Sequence, residues 1–193
     1  MLTELVGQEL EEIAQDNSYG LLVFKPDAVE KDLVEYLLSH ILCSEPFAGK
    51  AEVEQICILE PITDPEDVRK IYPNLSGDIW EANLQLFRSN FTVIALLKGN
   101  GVDMPAELER IKGKVHTDFS TRGLKEGIRG IIPTIGEEEV FLKIRERKST
   151  GIPLTTEDYF RLARNLVHTP DTHEEKLSIL ELMKKYEKQE SCF

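Results

Sequence analysis

Residues 91–97, Phe-Thr-Val-Ile-Ala-Leu-Leu, carry no charge, are rich in branched side chains and give way at once to Gly99-Asn100-Gly101. A run of this kind is the clearest strand in the chain, closed by a turn. A second apolar run, Tyr19-Gly-Leu-Leu-Val-Phe24, suits a buried strand. It stops at Lys25-Pro26-Asp27, because proline has no N–H to give a ladder. Residues 51–60 set Val53, Gln55, Cys57 and Leu59 against Glu54, Ile56 and Ile58, an alternation that predicts another strand.

Helices fill the intervals. Val29, Leu33, Leu37 and Ile41 fall on one stripe after the first strand. Asp64 can cap a helix whose first position is Pro65, and a further helix is expected over about 78–87. Residues 104–112 read as a helix with Pro105 near its start and Gly113 at its end. A glycine- and charge-rich loop is expected over about 114–139, then helix in two pieces over 140–163, broken at Gly151-Ile152-Pro153. Residues 162–167 read as a last strand. Asp171-Thr172-His173-Glu174 is a capping pattern, and Leu177, Leu180, Met183 and Tyr186 stripe the closing helix. Leu2, Leu5, Leu10 and Ile13 give an amphipathic N-terminal helix, an extension over 1–17 ahead of a domain over 18–193. The order of elements is that of an α+β, ferredoxin-like antiparallel sheet with helices on one face.

Charge narrows the function. The chain of 193 residues has a formal net charge of −12, which disfavours nucleic-acid backbones as partners. Within it, residues 109–130 hold Arg110, Lys112, Lys114, Arg122, Lys125 and Arg129 against three acidic residues, so a small polyanion could be held locally. No stretch of about 18 apolar residues offers a membrane span, and the acidic start lacks the pattern of a signal peptide. Cys43, Cys57 and Cys192 show no paired spacing, which predicts thiols in a reducing, cytoplasmic setting and neither a disulfide framework nor a zinc site.

Three stretches carry a resemblance. Phe24-Lys25-Pro26-Asp27-Ala28-Val29, Gly127-Ile128-Arg129-Gly130 and Asn165-Leu166-Val167-His168-Thr169-Pro170-Asp171 resemble, in the same order, the lysine, arginine and active-site histidine motifs of nucleoside diphosphate kinases. The likeness covers roughly 18–130 and 163–186. It implies a phosphotransferase in which His168 carries the phosphoryl group and Lys25 reaches it, with magnesium held mainly by the nucleotide's phosphates. It implies nucleotide contacts from Arg129, from Arg110 with its register open by a residue or two, from Thr117 and from Asn165. Tyr72, Trp80 and Leu84 have the spacing of the family's tyrosine, base-stacking phenylalanine and leucine, although Trp80 could equally anchor the core. Asp171 resembles the family aspartate after the histidine, or is a helix cap. The partners implied are nucleoside di- and triphosphates and a second copy of the chain, a dimer being preferred over a larger assembly.

The chain also departs from the pattern. Thr169-Pro170 follows the histidine, removing a hydroxyl and a backbone donor. The family's histidine-orienting glutamate falls at or near Ile179, with Glu175 and Glu181 as substitutes only if the register shifts. An insertion over about 136–161, containing Glu137-Glu138-Glu139, precedes the histidine motif and reads as a solvated face beside the site. These departures keep a second reading open, a catalytically weak or inactive nucleotide-binding module on the same fold.

Overall fold

The structure, a computed structural model, describes residues 7–113, 127–130 and 137–190. Its sheet has four strands in the order β2-β3-β1-β4, all pairs antiparallel. These are β1 (Tyr19–Phe24), β2 (Ala51–Leu59), β3 (Thr92–Gly99) and β4 (Val167–His168). Because β1 and β3 are apolar at almost every position, alternation of side chains across the pleat sends apolar groups to both faces, and both must be covered.

On one face Leu21, Val23, Ile94 and Leu96 pack under α1 (Gly7–Gln15), α4 (Pro65–Ile71), α5 (Gly77–Phe87) and α9 (His173–Glu190). On the other, Leu22, Phe24, Val93 and Ala95 meet α2 (Pro26–Glu30), α3 (Val34–Cys43) and α6 (Met104–Lys112). The helices therefore lie on two faces, where the order of elements had suggested one. The N-terminal helix belongs to this packing, with Leu10 and Ala14 buried in the first cluster; Leu2 and Leu5 lie outside the described residues.

Local chemistry sets the ends of the helices. Asp64 accepts a hydrogen bond from the Glu66 N–H at 3.0 Å and Asp103 accepts one from Ala106 at 3.2 Å, each just ahead of a proline in the first turn. The stripe from Val29 to Ile41 is split into α2 and α3, since Asp32 takes a positive φ of 55° between them. Residues 137–163 form two helices, α7 (Glu137–Ser149) and α8 (Thr156–Ala163). A reciprocal capping box between Thr155 and Asp158 starts α8, and Asp158 also takes Arg147 of α7 at 2.8 Å.

Helix α8 packs its Ala163 against Ala82 and Leu86 of α5, with Tyr159 and Phe160 alongside. That burial carries the helix through Leu162 and Ala163, so the last strand is only Val167–His168 and not the six residues 162–167. It also makes α8 part of the packed body, while the charged residues read as a solvated face, Glu137 to Glu139 and Lys143 to Lys148, belong to α7. Gly127, at φ 60°, sits so close to the carbonyl of Ile111 and to Gly113 that a side chain there would collide with backbone. The arginine motif is thereby pressed, as a short 3₁₀ turn Gly127–Gly130, onto the end of α6.

Candidate active site

The Lys-Pro-Asp motif and the histidine motif are tied together through the backbone. Leu166 has a positive φ of 69°, costly for a branched side chain and sustained here from two sides. Its N–H donates to Oδ2 of the fully buried Asp27 at 3.0 Å, and its carbonyl accepts from the Lys25 N–H at 2.8 Å. Two residues later His168 lies opposite Val23 of β1. The tight turn and the short strand together leave the imidazole little freedom of position.

Nε2 of His168 lies 2.7 Å from Oε1 of Glu175, and Oε2 of Glu175 accepts the Asp171 N–H at 2.9 Å. Glu175, in the first turn of α9, is thus the residue that orients the histidine. Ile179, at the family's glutamate position, is fully buried in the core one turn further on. The ring centroid of Tyr72 is 4.4 Å from that of His168. Burial holds the His168 pKa below the ordinary imidazole value, against the upward pull of the Glu175 contact; the charges of Lys112 and Lys25 act in the same direction as burial. The ring is therefore neutral near pH 7. With its proton on Nε2, donated to Oε1 of Glu175, Nδ1 carries the lone pair.

Lys25 is also buried, at the end of β1. Its Nζ donates to Oδ1 of Asn83 at 3.0 Å and to the carbonyl of Ala163, and it lies 5.3 Å from the centroid of the Tyr72 ring. Such partners are what a buried ammonium needs to remain charged.

From α6 comes a second cation, though not the expected one. Arg110 points outward to Glu107 at 2.7 Å and to the Glu45 carbonyl at 3.2 Å. Two positions on, about 200° around the helix, Lys112 is buried and ion-paired with Glu109 and, at 3.6 Å, with Asp171. The Thr169 hydroxyl donates to Glu109 at 3.1 Å. The hydroxyl of Thr172, not Asp171, accepts the Glu175 N–H at the start of α9, so Asp171 faces Lys112 and leaves the cap to its neighbour.

These groups form the floor of a cleft of about 890 Å³, lined by Lys25, Tyr72, Lys112, His168 and Glu175. Asn165 reaches it too, its Nδ2 on the Leu162 carbonyl at 3.3 Å and its Oδ1 without a hydrogen-bond partner among the described residues. Trp80 and Leu84 do not line it. The guanidinium of Arg69 lies 3.6 Å over the Trp80 ring and Leu84 is in the core; Ile79 and Asn83, one helix position earlier in each case, face the cleft instead. Thr117 and the side chain of Arg129 lie outside the described residues. Asn83 and Tyr159 went unnoticed as site residues in the sequence, whereas Lys112 stood in the basic stretch 109–130 and Glu175 was named as a substitute for the orienting glutamate, with a capping-box spacing from Thr172.

Among the described residues no three His, Cys, Asp or Glu side chains converge as metal ligands, and Glu109 and Asp171 already serve Lys112. The described residues do not fit a protein-built magnesium seat. No described helix is long and apolar enough to cross a membrane.

No family model and no curated protein matches the chain. Solved structures do. A nucleoside-diphosphate kinase from Borrelia burgdorferi, a transition-state mimic with bound vanadate and ADP, aligns over 85% of this chain and 84% of its own, at 14% identity and a TM-score of 0.55. The Aquifex aeolicus nucleoside diphosphate kinase aligns over 86% and 93%, at 15% identity and a TM-score of 0.50. With its four-stranded antiparallel sheet and the helices packed on it, this chain has the fold of the nucleoside diphosphate kinases.

Proposed function

We propose that the chain is a phosphotransferase that moves the terminal phosphoryl group of a nucleoside triphosphate to a nucleoside diphosphate through phospho-His168. The observation that carries this reading is the buried imidazole with Nε2 on Glu175, in a cleft that also contains Lys25 and Lys112. Nδ1 attacks the γ-phosphorus; the P–N bond forms as the bond to the β,γ-bridging oxygen breaks, and the diphosphate leaves with that electron pair. A terminal oxygen of the acceptor diphosphate then attacks the same phosphorus and the pair returns to Nδ1. Glu175 holds the Nε2 proton and balances the cationic ring of the phosphoenzyme. Lys25 and Lys112 compensate charge on the transferring group, where catalysis of this kind is mostly positioning and electrostatics. Arg129 and Thr117 are further candidates for phosphate contact, and magnesium, if used, arrives on the nucleotide's own phosphates.

A nucleotide-binding module without turnover is the second reading. It is favoured by the engagement of both lysines, Lys25 with Asn83 and Lys112 with Glu109 and Asp171, which an incoming phosphate must displace. A cytoplasmic setting belongs to the phosphotransferase reading. So does a homodimer along β2, the edge strand of the sheet among the described residues, where Ile56 and Ile58 are half exposed. The two readings separate on transfer: protein labelled by γ-labelled ATP passes its label to added GDP if it is an enzyme, whereas a binding module takes up no label.

A further inference from the structure

The cleft has two unlike ends. At the floor are ionisable groups; toward the mouth the lining becomes largely apolar. That outer part is lined by Pro73, Asn74, Leu75 and Ile79 of the α4–α5 region and, from the inserted hairpin, by Ile152, Pro153 and Leu154 between α7 and α8 and by Tyr159 of α8. The hairpin wall is braced. Ala163 packs on Ala82 and Leu86, the Thr155–Asp158 box fixes the start of α8, and Arg147 ties α7 to it. At the rim Ile152 keeps 54% of its surface exposed, an apolar side chain beside an apolar wall with nothing from the described residues covering it. Lys148, at the end of α7, also lines the cleft.

We propose that the inserted hairpin is the nucleoside subsite: a planar ring bound at the cleft mouth lies between residues 73–75 and residues 152–154, beside Tyr159. This rests on the phosphotransferase reading for the orientation of the ligand, phosphates toward His168 and ring outward. Trp80, turned away under Arg69, cannot supply the stacking surface, and Tyr159 is the aromatic ring that the outer walls do offer. A carbon-rich slot with few groups to read a base edge favours a ligand that has a heterocycle over one that lacks it, and discriminates little among heterocycles.

The test uses the full chain with Ile152→Ser and Leu154→Ser combined, substitutions at the hairpin turn outside the buried α5–α8 contact, with the melting transition confirming the fold. Calorimetry measures the affinity for ADP and for inorganic tripolyphosphate. The expected result is an ADP affinity lower by about tenfold with tripolyphosphate binding unchanged, the scale of losing part of one stacking surface. A folded variant that binds ADP as the native chain does overturns the proposal, as does an equal loss for both ligands. Tyr159→Leu, which keeps bulk against α5, is expected to weaken ADP binding in the same sense, and unchanged ADP binding in this variant also counts against the subsite. If the native chain binds ADP but takes no label on His168, the transfer reading fails while the subsite stands; if it binds no ADP, both fail.

Discussion

The two ends of the cleft are held by different forces. At the floor, His168 is fixed by backbone hydrogen bonds across the core: the Leu166 turn on Asp27 and Lys25, the pairing with β1, and Glu175 spanning the imidazole and the Asp171 N–H. At the mouth, the α7–α8 segment is held by side-chain packing of one helix on another and by one capping box. Directional bonds inside a core fix an atom to within a fraction of an ångström, which phosphoryl chemistry needs. Packing of surface helices tolerates substitution, which a site for varied ligands can use. On the proposed function, single changes at the floor act on chemistry and those at the mouth act on binding.

The sharpest way to break this contrast is Glu175→Gln. An amide that donates to Nε2 forces the proton onto Nδ1 and removes the attacking lone pair, while the Asp171 N–H still finds an acceptor. The rate of His168 labelling by ATP is expected to fall roughly 10²–10⁴-fold, the range for a positioned acid–base partner, with ADP affinity little changed. A normal rate would mean that Glu175 does not set the tautomer.

A smaller effect is expected of Asp27→Ala, which leaves the Leu166 N–H buried without an acceptor and loosens the turn before the histidine. Chemical denaturation should show a loss of about 2–3 kcal/mol. A loss below about 0.5 kcal/mol would show that the turn does not depend on the Asp27 carboxylate.

Trp80→Ala addresses the mouth. Removing the ring beneath Arg69 should cost about 1–2 kcal/mol of stability and leave ADP affinity as it was. Weaker ADP binding in a variant of unchanged stability would return the base to Trp80.

The smallest effect concerns pH. The buried ammonium of Lys176 bonds to the carbonyls of Asp16 and Tyr19, and burial pushes its pKa down to about 8 from 10.5. Between those values the unfolded chain binds a proton that the folded chain has released, so stability rises with pH across that window. Tyr186 is half-buried beside Asp67, and partial burial with that carboxylate pushes its pKa up to about 12 from 10.0. Above pH 10 the unfolded chain loses that proton first, and stability falls. Urea midpoints should therefore pass through a maximum near pH 10, and Lys176→Met should remove the rising limb. A rising limb that persists in the variant would assign it to another group.

The elements most legible in the sequence were those with local causes. Asp64-Pro65 and Asp103 with Pro105 announce helix starts through their own side chains, and the apolar runs of β1 and β3 announce buried strands. His168 and Lys25 were legible as motif residues because both sit at strand ends, where a shift along the chain is easily seen. On helices the spacing did not fix which side chain faces the cleft. Ile79 and Asn83, next to Trp80 and Leu84 in the chain, line it, Lys112 lies two residues from Arg110, whose register was open by that much, and Glu175 is the substitute that a shifted register allowed in place of Ile179. Every residue turns a side chain by 100°, so a match in spacing along the chain does not preserve the face presented. The shortening of the last strand has another origin: the capping box at Thr155 and the burial of Ala163 on α5 extend a helix over a stretch that is apolar enough for a strand.

The central claim is that His168 accepts a phosphoryl group at Nδ1. The native chain and His168→Ala are incubated with γ-labelled ATP and magnesium, and the protein-bound label is followed through acid and alkali and across pH. The native chain is expected to take up a label that is lost in acid and stable in alkali, and His168→Ala to take up none. Uptake should persist below the ordinary imidazole pKa, since burial keeps the ring neutral there. Label of the same stability in His168→Ala, or no label on a native chain that binds ADP, would contradict the claim.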